Sequence, residues 1–233
     1  SRDTDRSVSI SLVWARCFMM ASRTRPGLYE KEAMMSARIL LITSSVAWIS
    51  ALAPATVYVD ISATGAHDGS SWNDAFTTLQ EGVDAAAPGE RIWVAGGIYN
   101  ELRSASATGS LEMKEGVRLY GGFAGGENSL GERDWGANLT VIDGANGRGV
   151  GVAAVHVVVG ANNATLDGFT VTGGHWDVGA SLPLDRGAGM FNPSVNGLTV
   201  AHCTFSGNVS SWGAGMCNFG GSSPKLQIGR AHV

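Results

Sequence analysis

Five residues within one short stretch carry the side chains that glycan chemistry uses: His175, Trp176, Asp177, Asp185 and Arg186. An indole can stack on the apolar face of a sugar ring, and a pair of carboxylates is what acid and base catalysis of glycoside cleavage requires. If the chain is an enzyme, Asp177, Asp185 and Arg186 are its candidate catalytic residues; Trp176 and His175 are the candidate ligand contacts. Asp177 and Asp185 are eight positions apart on an irregular segment, so the sequence does not fix their separation in space. A solvated loop is the competing reading of the same five residues. A uronate-cleaving lyase would instead need a carboxylate cluster for Ca²⁺ and a basic residue to take a proton. No such cluster recurs along the chain, so no metal site and no cofactor is predicted, Ca²⁺ being the one ion the chemistry would admit. Gly144-Ala-Asn-Gly-Arg-Gly-Val-Gly151 is glycine-rich, yet no long helical pattern follows it, and it reads as a turn. His156 and His202 fall on alternating stretches without metal-ligand partners and read as structural or surface histidines.

What must position these residues is an internal repeat. Gly187-Ala-Gly-Met-Phe-Asn192 returns 26 residues later as Gly213-Ala-Gly-Met-Cys-Asn218, and Val200 and Leu226 share the same offset. Self-similarity at such a period marks a solenoid, and short alternating stretches broken by Gly and Asn mark strands rather than helices. The expected fold is all-β, a single-stranded parallel β-helix in which each repeat is one coil. Thr56-Val-Tyr-Val-Asp60 reads as a first strand. Phe76, Leu79, Val83 and Ala86 form a helical stripe over 74–87, capped by Asn73 or Asp74 and stopped by Pro88-Gly89. Strand, Trp72 and helix together read as an N-terminal cap over 56–90, because a solenoid must close its open apolar end. Coils then run over 91–227, with Arg91–Tyr99, Val117–Phe123, Thr140–Gly144, Ala164–Gly174 and Leu198–Asn208 expected as successive turns of one column. The step from Leu166 to Val200 is 34 residues, and the excess falls in 175–186, which is expected to bulge from the body. Asn192 and Asn218, equivalent by the repeat, are expected to stack and hydrogen-bond along the axis.

Composition limits the class. Between residues 56 and 227 there are 8 Lys and Arg against 16 Asp and Glu, a net charge of −8. Nucleic acid is therefore excluded as a partner, and a neutral or cationic glycan, or a surface glycoprotein, is the expected one. Met35 with Arg38, the apolar run Ile39–Leu52 and Ala53-Pro-Ala55 has the pattern of a secretory signal over 35–55, too short for a comfortable membrane span. Residues 1–34 are expected to be disordered upstream translation, and 228–233, which break the Gly and Asn rhythm, a non-native tail. The expected location is secreted or cell-surface, with no transmembrane helix after signal cleavage and a C-terminal anchor beyond this fragment. Cys203 and Cys217 are 14 apart, out of step with the repeat, and read as small core residues rather than a disulfide.

The motifs also carry a likeness. Tyr58-Val-Asp60 with Gly69-Ser-Ser-Trp72, Ala75-Phe-Thr-Thr-Leu-Gln80, Ile92-Trp-Val-Ala-Gly-Gly-Ile-Tyr99, Leu119-Tyr-Gly-Gly-Phe123 with Glu132-Arg-Asp-Trp135, and Leu166-Asp-Gly-Phe169 resemble exported bacterial right-handed parallel β-helix repeat proteins of pectate-lyase-like fold. Gly187-Ala-Gly-Met190 and Phe205-Ser-Gly-Asn208 resemble the repeats of polymorphic outer-membrane proteins. The resemblance implies a right-handed coil, export and a surface role. Members include surface proteins, adhesins and polysaccharide-acting enzymes, so the implied function is a scaffold or adhesive carbohydrate-binding module. The alternative is a polysaccharide lyase or glycoside hydrolase with its site on the 175–186 insertion.

Overall fold

A computed structural model describes residues 55–103, 108–176 and 186–227. The chain enters through β1 (Thr56–Val59) and one short helix, α1 (Leu79–Ala85). A first coil follows as β2 (Arg91–Ala95), β3 (Gly97–Tyr99) and β4 (Leu111–Glu112), and a second as β5 (Arg118–Phe123), β6 (Thr140–Asp143) and β7 (Val158–Val159). The third comprises β8 (Thr165–Asp167), β9 (Phe169–Thr172) and β10 (Met190–Pro193), the fourth β11 (Asn196–Ala201), β12 (Thr204–Phe205) and β13 (Met216–Phe219), and β14 (Ser223–Gln227) starts another turn. Each coil visits three sheets in the same order. Sheet A stacks β1, β2, β5, β8, β11 and β14, sheet B stacks β3, β6, β9 and β12, and sheet C stacks β4, β7, β10 and β13. Every ladder is parallel, so the fold is a parallel β-helix.

Alternation builds the core. In sheet A the inward column is Ile92, Leu119, Leu166 and Val200, continued by Leu226 in register with Val200, as the 26-residue offset requires. Sheet B contributes Tyr99, Ile142, Val171 and Phe205, and sheet C contributes Leu111, Val158, Met190 and Met216. Each column buries its apolar side chains only by stacking on the next coil. Asn192 is in register with Asn218 and donates to it through Nδ2 at 2.8 Å, the expected axial ladder. Its first rung lies beside Gly160, where a Cβ would collide with the Asn192 amide oxygen. The corner from sheet C to sheet A repeats a left-handed residue two positions before the shared register: Gly89, Gly116, Asn163 and Gly197, with φ of 93, 72, 56 and 70°. At this corner the left-handed backbone accounts for the recurring Gly or Asn.

Two expectations change. The helix spans 79–85 rather than 74–87, because Phe76 pairs with Val59 in a parallel bridge and Asp74 is tied into the 62–75 loop by the Ala66 amide and the Ser71 hydroxyl. Thr78 is the cap: its hydroxyl accepts from the Glu81 amide and donates to the Glu81 carboxylate at 2.6 Å. The coils also differ in length. Thr140–Asp143 belongs to sheet B, where Val141 pairs with Ile98 and Thr170, so it is not a rung of the Ile92 column. Leu119 therefore stacks directly on Leu166, 47 residues later, and the second coil is the longest. Leu79 and Val83 of α1 are buried against the first coil, and Gly82 permits the contact, since a Cβ there would lie 2.5 Å from Val59 Cγ2. Gln80 closes the free edge of β4: its amide donates to the Glu112 carbonyl and accepts from the Glu112 amide, as a further strand would. Among the described residues no helix is long and apolar enough to cross a membrane.

Candidate functional site

The described ends of the connections from sheet B to sheet C, which follow β3, β6, β9 and β12, all leave the same edge of the solenoid. The 175–186 segment belongs to this edge. Its described ends are stitched to the neighbouring coils. His175 bridges Val209, the His175 amide donates to Ala154, and the Trp176 amide donates to Val209. Arg186 bridges Trp212, and the Gly187 amide donates to the Trp212 carbonyl. The insertion thus departs between two fixed strandlike anchors rather than from a free turn. Asp177 and Asp185 lie outside the described residues, so the structure brings together His175, Trp176 and Arg186 on one edge without describing the carboxylates.

A groove of about 450 Å³ opens beside His175, lined also by Arg148, Val152, Gly173, Gly207 and Val209. Gly173 and Gly207 have φ of 77 and 63°, which leaves backbone rather than side chains facing that space. His175 is exposed. Trp176 is half-buried, and its Nε1 is buried with no hydrogen-bond partner. The Arg186 guanidinium stands 5.1 Å above the Phe219 ring. Trp212, on the connection above, is 67% exposed. The repeat hid it, because Trp212 falls within an ordinary 26-residue unit while the sequence signal pointed to the longer insertion.

A second cluster lies at the tight corner from sheet A to sheet B. Asp167, nearly buried, accepts from Arg133 Nη2 at 2.7 Å through one oxygen and lies 2.7 Å from His202 Nδ1 through the other. The His202 ring stacks on Trp135 at 4.3 Å, and the Arg133 guanidinium sits between the rings of Tyr120 and Trp135. Arg133 also donates to the carbonyls of Gly121 and Asp167. His202 takes φ of 48° at the corner where the coil below has Gly168 at 85°. His202, read from the sequence as a structural or surface histidine, is a structural one: its Nδ1 meets the Asp167 carboxylate at a corner of left-handed backbone. Glu132-Arg-Asp-Trp135 and Leu166-Asp-Gly-Phe169 were visible as motifs, but nothing in the chain says that they meet.

This cluster lacks a nucleophile. Cys203, adjacent in sequence, is directed at the Leu166 and Ala201 carbonyls, and burial pushes its thiol up to about 11. Cys203 and Cys217 are both free, half-buried thiols, and of the two Cys203 packs against the core. His156 is a structural residue: buried, stacked on Phe191 at 4.7 Å, with Nδ1 3.2 Å from the Gly187 carbonyl. Among the described residues no three His, Cys, Asp or Glu side chains are grouped so as to hold a metal ion. Chemically, the corner cluster is a clamp for the 124–139 connection, whereas the sheet B to sheet C edge is an open surface with a groove.

No curated protein and no solved structure matches the chain. One family model does, that of a protein of unknown function (DUF1565), over residues 61–221, a span that runs from the first loop through the fourth coil. With well over half its length matched, the chain belongs to the DUF1565 family.

Proposed function

We propose that the protein is an exported, right-handed β-helix that works at the cell surface or in secretion as a scaffold with an adhesive, carbohydrate-binding edge. The observation that carries this reading is the groove beside His175, at the foot of the insertion that holds Trp176. Exposed backbone at Gly173 and Gly207 can hydrogen-bond sugar hydroxyls, and Trp176 and Trp212 offer apolar surface for ring faces. The parallel β-helix keeps these connections in fixed order along one edge, which suits an extended oligosaccharide better than a compact ligand. Export is supported by Arg38, the apolar run Ile39–Leu52 and Ala53-Pro-Ala55. A glycan or surface glycoprotein is the proposed partner.

A glycan array compares the wild-type protein with Trp176→Ala, both checked for unchanged circular dichroism. Binding that falls about fivefold or more in the variant supports the reading, since removing a stacked aromatic typically costs about 1 kcal/mol or more. Equal binding by the two proteins removes the insertion from the site. Release of an unsaturated, ultraviolet-absorbing product from a polyuronate would replace adhesion by lyase chemistry.

A further inference from the structure

We propose that the outer face of sheet A carries a separate subsite for an acidic glycan, built on Arg91 and Arg118. The two are register partners on β2 and β5, and both point outward, because Ile92 and Leu119 beside them are fully buried in the core. Strands in a sheet lie about 4.8 Å apart, so two guanidinium-bearing side chains stand directly side by side. Like charges so placed repel, and a sheet normally avoids the pairing. Neither guanidinium makes a hydrogen bond or ion pair with a described residue. The arginine ion pairs found among the described residues join Arg103 to Glu101 and Arg133 to Asp167, which His202 Nδ1 also contacts.

The outward row continues without an acidic member. Arg118 is in register with Thr165, Thr165 with Thr199, and Thr199 with Lys225. Five adjacent strands thus present Arg, Arg, Thr, Thr and Lys over roughly 19 Å. The nearest carboxylates do not cancel the pair by contact. Glu90 accepts from the Ala87 amide at 2.8 Å, and Asp167 is held by Arg133 and His202. Glu115 is exposed on the turn before Arg118 and makes no ion pair with it.

A carboxylate or sulfate bracketed by two guanidiniums would gain charge-assisted hydrogen bonds and relieve their repulsion. The threonine hydroxyls can then meet sugar hydroxyls along the row. The net charge of −8 argued for a neutral or cationic glycan, but at physiological salt charge acts over only about 8 Å, so the acidic residues beyond that range do not reach the row, and Glu90 and Glu115 flank it without pairing to either arginine. This subsite does not depend on the groove beside His175.

The test is retention of the wild-type protein and of Arg91→Gln/Arg118→Gln on immobilised heparin, polygalacturonate and uncharged dextran, with a chelator present so that Ca²⁺ cannot bridge. The expected result is retention on at least one of the acidic polymers but not on dextran, weakening with added salt, and at least about tenfold lower in the double variant. Which polymer binds separates sulfate from carboxylate recognition. Both side chains lie on the outer face, and unchanged circular dichroism shows that the variant folds. Trp176→Ala should leave this retention unaltered, which keeps it distinct from the loop-edge site. Wild type that binds neither acidic polymer, or a double variant that binds them equally well, overturns the proposal.

Discussion

His156 shows how one side chain can make stability depend on pH. Burial disfavours its charged form and holds its pKa below the ordinary value near 6.5, the carbonyl contacts of Gly187 and Arg186 only partly opposing this. The unfolded chain therefore takes up the proton first. Stability contributed by the neutral ring is fully present above about pH 6.5 and declines as the pH drops from there toward the lower folded value. Urea titrations between pH 8 and 5 should show a falling midpoint for wild type and a smaller fall for His156→Asn, whatever the variant's absolute stability. Equal slopes would mean that His156 titrates normally in the fold. The sequence placed His156 among structural or surface histidines, since Val155-His-Val157 alternates and offers no ligand partner. It could not show that the ring stacks on Phe191, because that contact joins positions 35 apart on neighbouring coils.

At the scale of elements, the 124–139 connection is held to the solenoid through Arg133. Its guanidinium is 7% exposed and the Asp167 carboxylate 12%, so removing either partner leaves a nearly buried charge without its counter-ion. Asp167→Asn should cost about 3 to 5 kcal/mol in denaturant unfolding and raise amide exchange across 124–139. The double replacement Arg133→Leu/Asp167→Leu should be less destabilising than either single charge removal. Additive losses would show that the two residues act separately. Helix and strand boundaries failed in the sequence where tertiary contacts competed with local pattern. Phe76 fits a helical stripe and also fits the bridge to Val59, and the bridge prevails because it extends sheet A's order onto the cap. Thr140-Val-Ile-Asp143 has the same alternation as any sheet A strand, and only its partners Gly97–Tyr99 assign it to sheet B.

At the largest scale the described coils form a stack in which none of them has a core of its own. The repeat made this legible: the 26-residue offset set the register of Val200 on Leu226 and of Asn192 on Asn218 before any coordinates. Lengths of the other coils were less legible, since loops at one edge can grow by many residues without shifting the strands they join, as the 47-residue step from Leu119 to Leu166 shows. Function was least legible, because a site on stacked connections gathers residues such as His175, Arg148 and Val209 from different coils. The stack itself can be tested at two neighbouring positions. Val200 is 4% exposed and shares the inward column with Leu166 below and Leu226 above, whereas Thr199 faces outward beside it. Val200→Asp would put an unpaired charge into a strip shared by three coils, at a cost of several kcal/mol, comparable with the roughly 5 to 15 kcal/mol that stabilises a domain. It should therefore abolish cooperative unfolding or cause loss of soluble protein. Thr199→Asp, one residue away, should change the unfolding midpoint by no more than about 1 kcal/mol, since its side chain remains in water. Circular dichroism with urea titration reads both, and a mild Val200→Asp or a severe Thr199→Asp would reverse the inward and outward faces of β11.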